Sequence, residues 1–188
     1  RPDHACRRVN KKKLSERDIC TKFITPALVA AGWDVQLHIR EEVFFTKGRV
    51  IVRGRMTARG EAKRADYILY HPSGAPLALI EAKDNTHPVG AGMQQALGYA
   101  ETLQIPFVFS SNGDAFLFHD RTLTAGEIEK EIPLTAFPSP ADLWARYADA
   151  HDIPTARLQV DFGLQVFTIV KPLVGVTGLF DLGDEDLD

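Results

Sequence analysis

The sequence predicts an α/β fold built on a mixed β-sheet with helices against it, and the evidence lies in the middle of the chain. Residues 65–70 and 77–83 are β-rich and apolar, and His71, Pro72, Ser73, Gly74, Ala75 and Pro76 between them form a turn cluster, the pattern of an antiparallel hairpin. A helical stretch at 89–103 and another apolar strand at 105–110 follow, so residues 77–110 read as a strand, helix, strand crossover that sets two strands parallel. A chain of 188 residues, 45% hydrophobic and 25% charged, suffices for one globular core.

The elements follow in order. Residues 1–13, with Arg7, Arg8, Lys11, Lys12 and Lys13, read as a basic arm. The first helix is expected over 14–31: Ser15 and Asp18 have capping-box spacing, Ile19, Phe23, Ala27 and Ala31 share a face, and Gly32 supplies the stop. Pro26 should kink or interrupt it. Residues 33–40 alternate, with Val35, Leu37 and Ile39 on one side, and predict a half-buried strand. Residues 43–45 and 49–53 should pair through Thr46, Lys47 and Gly48, and 57–64 should form a polar, basic loop leading into the Asp66 strand.

After a loop at 84–88, the 89–103 helix carries Met93, Leu97, Ala100 and Leu103 as its apolar stripe, although Gly90, Gly92 and Gly98 lower its helicity. Those glycines suit a close approach to backbone or phosphate. A turn at 111–114 joins strands at 105–110 and 115–119. A last helix begins near Ser139, with Pro140 at its first position, Asp142 three after the cap, and Leu143, Trp144 and Tyr147 inward. The expected domains are thus the arm at 1–13, one domain at 14–150 and an acidic extension at 151–188.

Composition excludes several classes. No apolar run reaches the roughly 18 residues of a membrane span, and the basic start leads into no signal-like segment, so no membrane partner and a cytoplasmic location are expected. Cys6 and Cys20 make neither a disulfide scaffold nor a zinc site, the six histidines lack ligand spacing, and neither a P-loop nor a nucleophile elbow occurs. The net charge of -3 is uneven: from His151 onward there are 2 basic and 7 acidic residues, against 20 and 18 before it. Lys47, Arg49, Arg53, Arg55, Arg59, Lys63 and Arg64 face only Glu61 in their interval, a run suited to DNA phosphates or to a merely solvated hairpin.

The chemistry-bearing residues sit on the central hairpin. If its turn is centred between Ser73 and Gly74, paired numbers sum to 147, which sets Ile68 opposite Leu79, Tyr70 opposite Leu77 and Asp66 opposite Glu81. Opposed like charges cost up to about 1 kcal/mol, which a cation or a proton between them would relieve. Mg²⁺, a hard ion held by one or two carboxylates with waters and phosphate, suits such a pair. Glu81 and Lys83 share a strand face and Ala82 points away. The same residues also read as an ion pair at a sheet edge, but Glu81 follows an apolar run, Leu77 to Ile80, where an unpartnered acid is expensive.

The segments SERDICTKFITPALVAAGW, RADYILY, PLALIEAK, QQALGYA and PFVFSSNGDAFLFHD, in that order, resemble the amino-terminal nuclease domain of the R subunit of type I restriction enzymes, within the PD-(D/E)xK nuclease superfamily. The resemblance covers roughly residues 14–147. It implies a restriction-endonuclease-like mixed sheet flanked by α-helices and Mg²⁺-dependent cleavage of double-stranded DNA, with Mn²⁺ as a substitute. Asp66, Glu81 and the main chain of Ala82 match the metal-binding positions, and Lys83 matches the motif lysine. Ala65 departs from the proline of the superfamily name, which bears on the turn and not on the chemistry.

The resemblance also makes Glu16, otherwise a helix-start acid, a third carboxylate near the metal, since the superfamily's first helix often contributes one. It assigns Gln95 and Tyr99, four apart on one helix face, to positioning DNA or active-site side chains, whereas spacing alone favours local packing. Arg59, Lys63 and Arg64 are the expected DNA contacts. The implied partners are modification and specificity subunits, and ATP belongs to a motor in the full-length enzyme, so this chain is expected to be a fragment. A non-cleaving DNA-binding or assembly module of the same fold and a free-standing repair or junction nuclease are the alternatives.

Overall fold

The computed structural model describes residues 9–46, 49–50 and 62–153, all within one compact unit. Seven described strands form a single sheet in the order β2-β1-β3-β4-β5-β6-β7: β1 Ile39–Thr46, β2 Arg49–Val50, β3 Lys63–Tyr70, β4 Pro76–Ala82, β5 Phe107–Ser111, β6 Ala115–Asp120 and β7 Glu129–Pro133. Neighbours are antiparallel except β4 and β5, which are parallel. The mixed α/β sheet expected from the hairpin and the crossover is therefore present. The two strands with continuous apolar runs take its middle: Leu77 to Ile80 and Phe107 to Phe109 are all fully buried.

Both faces are covered. On one lie α1 (Glu16–Ile19), α2 (Thr25–Ala30) and α4 (Pro140–Ala150), whose Ile19, Leu28 and Leu143 join Tyr67, Leu69, Ile80 and Phe109 in one core. On the other lies α3 (Met93–Leu103), whose Met93, Ala96 and Ala100 pack on Ile68, Leu79 and Val108. Each large aliphatic side chain so buried stabilises the fold by about 1.5–3 kcal/mol relative to exposure. Among the described residues, no helix is long and apolar enough to cross a membrane.

The first helical stretch follows its local chemistry. Ser15 and Asp18 form the capping box reciprocally. Pro26 has no N–H to donate and its ring crowds the preceding turn, and the helix relaxes there into a π-turn, Cys20–Ile24, between α1 and α2. Gly32 ends the stretch with φ +94. Lys11–Lys13 makes a 3₁₀ turn, and the Lys11 ammonium bonds the Gly113 carbonyl at 2.6 Å and Asp114 at 2.8 Å.

The strand expected over 33–40 is not formed. The Asp34 carboxylate accepts the N–H groups of Gln36 and Leu37, each at 2.8 Å, and folds the segment into a turn before β1 starts at Ile39. Val35 and Leu37 are left 49% and 70% exposed, so the alternation there was not a buried face. The helix expected from 89 begins at Met93, because the Gly-rich lead-in prefers turns to helix. Lys63 and Arg64 belong to β3 and not to the loop expected over 57–64. β7 went unread: Glu129, Lys130 and Glu131 give it too polar a sequence, which is how edge strands resist unwanted pairing.

The hairpin keeps the expected register along its centre, with Tyr67↔Ile80, Ile68↔Leu79 and Leu69↔Ala78. Near the turn it differs, since Tyr70 faces Pro76 and not Leu77. His71 donates to the Ala75 carbonyl at 2.9 Å, and Gly74 takes φ +86, which absorbs one residue as a bulge.

Candidate active site

Antiparallel pairing brings the start of β3 beside the carboxyl end of β4. Asp66 and Glu81 are the next pair in the hairpin register, but the regular ladder stops at Tyr67↔Ile80. Beyond it the Ala82 N–H donates to Asp66 Oδ2 at 2.8 Å, fastening one carboxylate to the strand that carries the other. Ala82 buries its methyl in the core, while Glu81 and Lys83 project toward α3.

Glu81 is only 3% exposed. Its Oε1 accepts a hydrogen bond from the Lys83 ammonium at 2.9 Å and another from the Gln95 amide. Its Oε2 is buried with no hydrogen-bond partner among the described residues. Lys83 also reaches Gln95 Oε1 at 3.4 Å, and the Gln95 amide donates to the Tyr99 hydroxyl at 3.1 Å. Glu81, Lys83, Gln95 and Tyr99 thus form one connected polar network.

Electrostatics raise every acid of this group. Burial, then the charge of Asp66, pushes Glu81 up to about 7, despite the opposing Lys83. Burial lifts Asp66 above the usual carboxylate range against the Ala82 N–H and the nearby cations. Glu16 is raised by burial and then by Asp66, which places it within electrostatic reach of the pair. For Lys83, burial opposes the charge, but the Glu81 hydrogen bond and the surrounding acids overcome it, so the ammonium persists at neutral pH. Three acids that resist ionising together, and one oxygen without a partner among the described residues, describe a site short of positive charge.

That donor set fits a divalent cation. Carboxylate oxygens are hard ligands, Glu81 Oε2 has no hydrogen-bond partner among the described residues, and Mg²⁺ needs only one or two carboxylates. Among the described residues, no three His, Cys, Asp or Glu side chains stand close enough to form a ready-made cage. Glu16 shares a groove with Arg17, Glu42, Arg64 and Asp66 beside the site.

A helix approach completes the site: the close approach expected of the glycines is made at Gly92, to the side chains of Glu81 and Ser110 and not to backbone or phosphate. A Cβ built on Gly92, just before α3, would lie 2.8 Å from Glu81 Cγ and 3.0 Å from Ser110 Oγ. The Gly92 N–H donates to Ser110 Oγ at 3.1 Å, and that hydroxyl donates to the Val89 carbonyl at 2.8 Å. Only glycine lets α3 come close enough for Gln95 to bond Glu81. The Gly90 and Gly92 pair ahead of an apolar-striped helix was the available signal. Arg17 and Glu42 also line the groove, and nothing in their local sequence marks them.

The basic residues divide. Lys63 stands 5.4 Å over the Tyr99 ring, beside the network, and Arg64 lies 3.9 Å from Glu42 in the groove that Asp66 lines. Arg59 lies outside the described residues. His87 pairs with Asp84 at 3.1 Å in the loop after β4. Cys20 is half-buried, its thiol pushed up to about 12 by burial, which suits a packing role.

Known proteins share this arrangement of chain. An Escherichia coli protein, the type I restriction enzyme EcoAI endonuclease subunit, is 52% identical over 153 residues, covering 81% of this chain and 19% of the relative. A solved fragment of a putative HsdR subunit of a type I restriction enzyme from Vibrio vulnificus superposes with a TM-score of 0.63 at 39% identity, covering 77% of this chain and 27% of that one. The chain therefore spans well under a third of the length of either protein. Residues 37–133, from the turn before β1 to the end of β7, match the family described as type I restriction enzyme R protein N terminus, and with that match over more than half its length the chain belongs to this family.

Proposed function

We propose that this chain is the nuclease region of a type I restriction enzyme R subunit and that it hydrolyses phosphodiester bonds of double-stranded DNA with Mg²⁺, or Mn²⁺ in its place. The observation that carries the reading is Glu81: a buried acid on a central strand, one oxygen held by Lys83 and Gln95, the other without a partner among the described residues, with Asp66 alongside. A stability-only role would not leave such an oxygen bare, because an unsatisfied buried polar atom costs about 1–3 kcal/mol.

In this reading Asp66 and Glu81 hold the cation, aided by the Ala82 main chain, with Glu16 near enough to bias it. When bound, the cation lowers the pKa of water and offsets the charge developing on the phosphate. Lys83, held by Glu81 and Gln95, places an ammonium where it orients the attacking water or stabilises that charge. Gln95 and Tyr99 fix the Lys83 and Glu81 rotamers. Lys63 and Arg64 supply cations for flanking phosphates. Modification and specificity subunits, and an ATP-driven motor in the longer protein, belong to the same reading.

The test is plasmid cleavage with Mg²⁺ or Mn²⁺, with and without the partner assembly, by the wild type and by Asp66→Ala and Lys83→Ala. Both variants should fold and lose cleavage by about 100-fold or more. Undiminished cutting by Lys83→Ala removes that lysine from the mechanism. Cutting without ATP or partners would favour a free-standing nuclease, and no cutting under any condition a non-cleaving module.

A further inference from the structure

Strand β1 carries an irregularity that the hairpin chemistry does not require. Its ladder with β3 runs Ile39↔Leu69, Arg40↔Ile68, Glu41↔Tyr67, then resumes at Val43↔Ala65, Phe44↔Arg64 and Phe45↔Lys63. The missing pair is Glu42 with Asp66. Glu42 sits there at φ +51, a left-handed backbone that costs an L-residue about 1–2 kcal/mol. A residue held in that region inside a strand, opposite a site carboxylate, needs a reason.

Its side chain supplies one. The Glu42 carboxylate accepts a hydrogen bond from Arg17 of α1, and the same oxygen is 3.9 Å from the Arg64 guanidinium of β3. The two arginines come from separate elements, α1 and β3, and line the groove that also holds Glu16 and Asp66. All three side chains are substantially exposed, at 64% for Arg17, 47% for Arg64 and 44% for Glu42. Exposed ion pairs are weakly held, typically by no more than about 1 kcal/mol, so the carboxylate is readily displaced. Guanidinium groups bind phosphate oxygens through forked hydrogen bonds that a single carboxylate oxygen does not match.

We propose that Arg17 and Arg64 form a binding site for one backbone phosphate of duplex DNA, next to the bond that is cut, and that Glu42 occupies this site as an internal stand-in until DNA displaces it. The strained backbone of Glu42 is what delivers a carboxylate between the arginines. This inference rests on the nuclease reading for its location, but it concerns binding, and its test needs no cleavage.

The experiment is anisotropy titration of the full chain with a fluorescent 20-base-pair duplex in EDTA across a salt series. Arg17→Ala and Arg64→Ala should each weaken binding, and the double variant should reduce the slope of log affinity against log salt by about one. Glu42→Gln should tighten binding in the wild-type background and leave the Arg17→Ala, Arg64→Ala protein unchanged. Arg17 is a surface residue, so its variants test the site even if Arg64 proves necessary for folding. An unaltered slope in the double variant overturns the proposal. So does equal tightening by Glu42→Gln with and without the arginines, which would be a general charge effect, and so does wild-type protein that fails to bind duplex at low salt. None of these outcomes alters what the Asp66→Ala and Lys83→Ala cleavage assays say of the nuclease reading.

Discussion

At the scale of the residue, Glu81 shows a site traded against stability. Its carboxyl is raised to about 7 from an ordinary 4.5, so the folded chain binds a proton there before the unfolded chain does. Between those two values the folded state holds more protons, and its stability falls as pH rises. Glu81→Gln removes that liability. In EDTA at pH 8, urea denaturation should find it more stable than the wild type by about 1–3 kcal/mol, a gap that closes by pH 4, while cleavage is lost. A variant that is less stable at pH 8 would mean that the Glu81 charge is well compensated in the free protein. The chain displayed this residue openly, as an acid after four apolar residues in a strand that must be buried. It did not display Glu42, because a left-handed backbone at a glutamate has no signature in composition or spacing.

At the scale of the element, the crossover from β4 through α3 to β5 decides how close Gln95 comes to Glu81. Gly92→Ala would press a methyl against Glu81 Cγ and Ser110 Oγ, and should cost about 1–3 kcal/mol as well as cleavage. Gly98→Ala is the internal control: nothing lies within 4 Å of its Cβ position, and it sits inside α3, so it should raise the melting temperature by an amount matching up to about 1 kcal/mol. Destabilisation by both would show that α3 itself, and not its contact with Glu81, is intolerant. The two capping boxes contribute to the acid limb of stability, together with Asp34, Asp84 and Asp114, which are also held below their usual range. Hydrogen bonds from Lys22 and Ser15 hold Asp18 below its usual range, and those from Ser139 hold Asp142 below it. Their stabilisation is complete above the ordinary carboxylate value and is lost as pH falls through the lowered ones. Asp142→Ala should therefore lower the melting temperature at pH 7 by an amount matching about 1 kcal/mol, and by less at pH 2 to 3.

Elements were legible where sequence and tertiary demand agreed. The hairpin, the crossover and both capping boxes follow from turn residues, apolar runs and side-chain spacing. Residues 33–40 misled because Asp34 captures local N–H groups, a short-range competition that outweighs period-2 alternation. β7 was invisible for the opposite reason: its pairing comes from β6, while its own residues are those of a solvent edge.

At the scale of the molecule, the sheet order explains why a site forms at this place. β4 is central, antiparallel to β3 and parallel to β5, so one sheet end gathers Asp66, Glu81 and Lys83 while α3 closes over them from one face and α1 brings Glu16 and Arg17 from the other. Acids from separate elements meet there, and burial raises them despite the nearby Lys83 and Arg64. The sequence supplied the strands and the resemblance supplied their chemistry, but the bare oxygen of Glu81 required the packed molecule. The most direct measurement is calorimetric titration of Mn²⁺ into the wild type, Asp66→Ala and Glu81→Gln. The account predicts one site in the wild type, its loss or severe weakening in both variants, and proton release on binding near pH 7. Equal Mn²⁺ binding by all three proteins would contradict it.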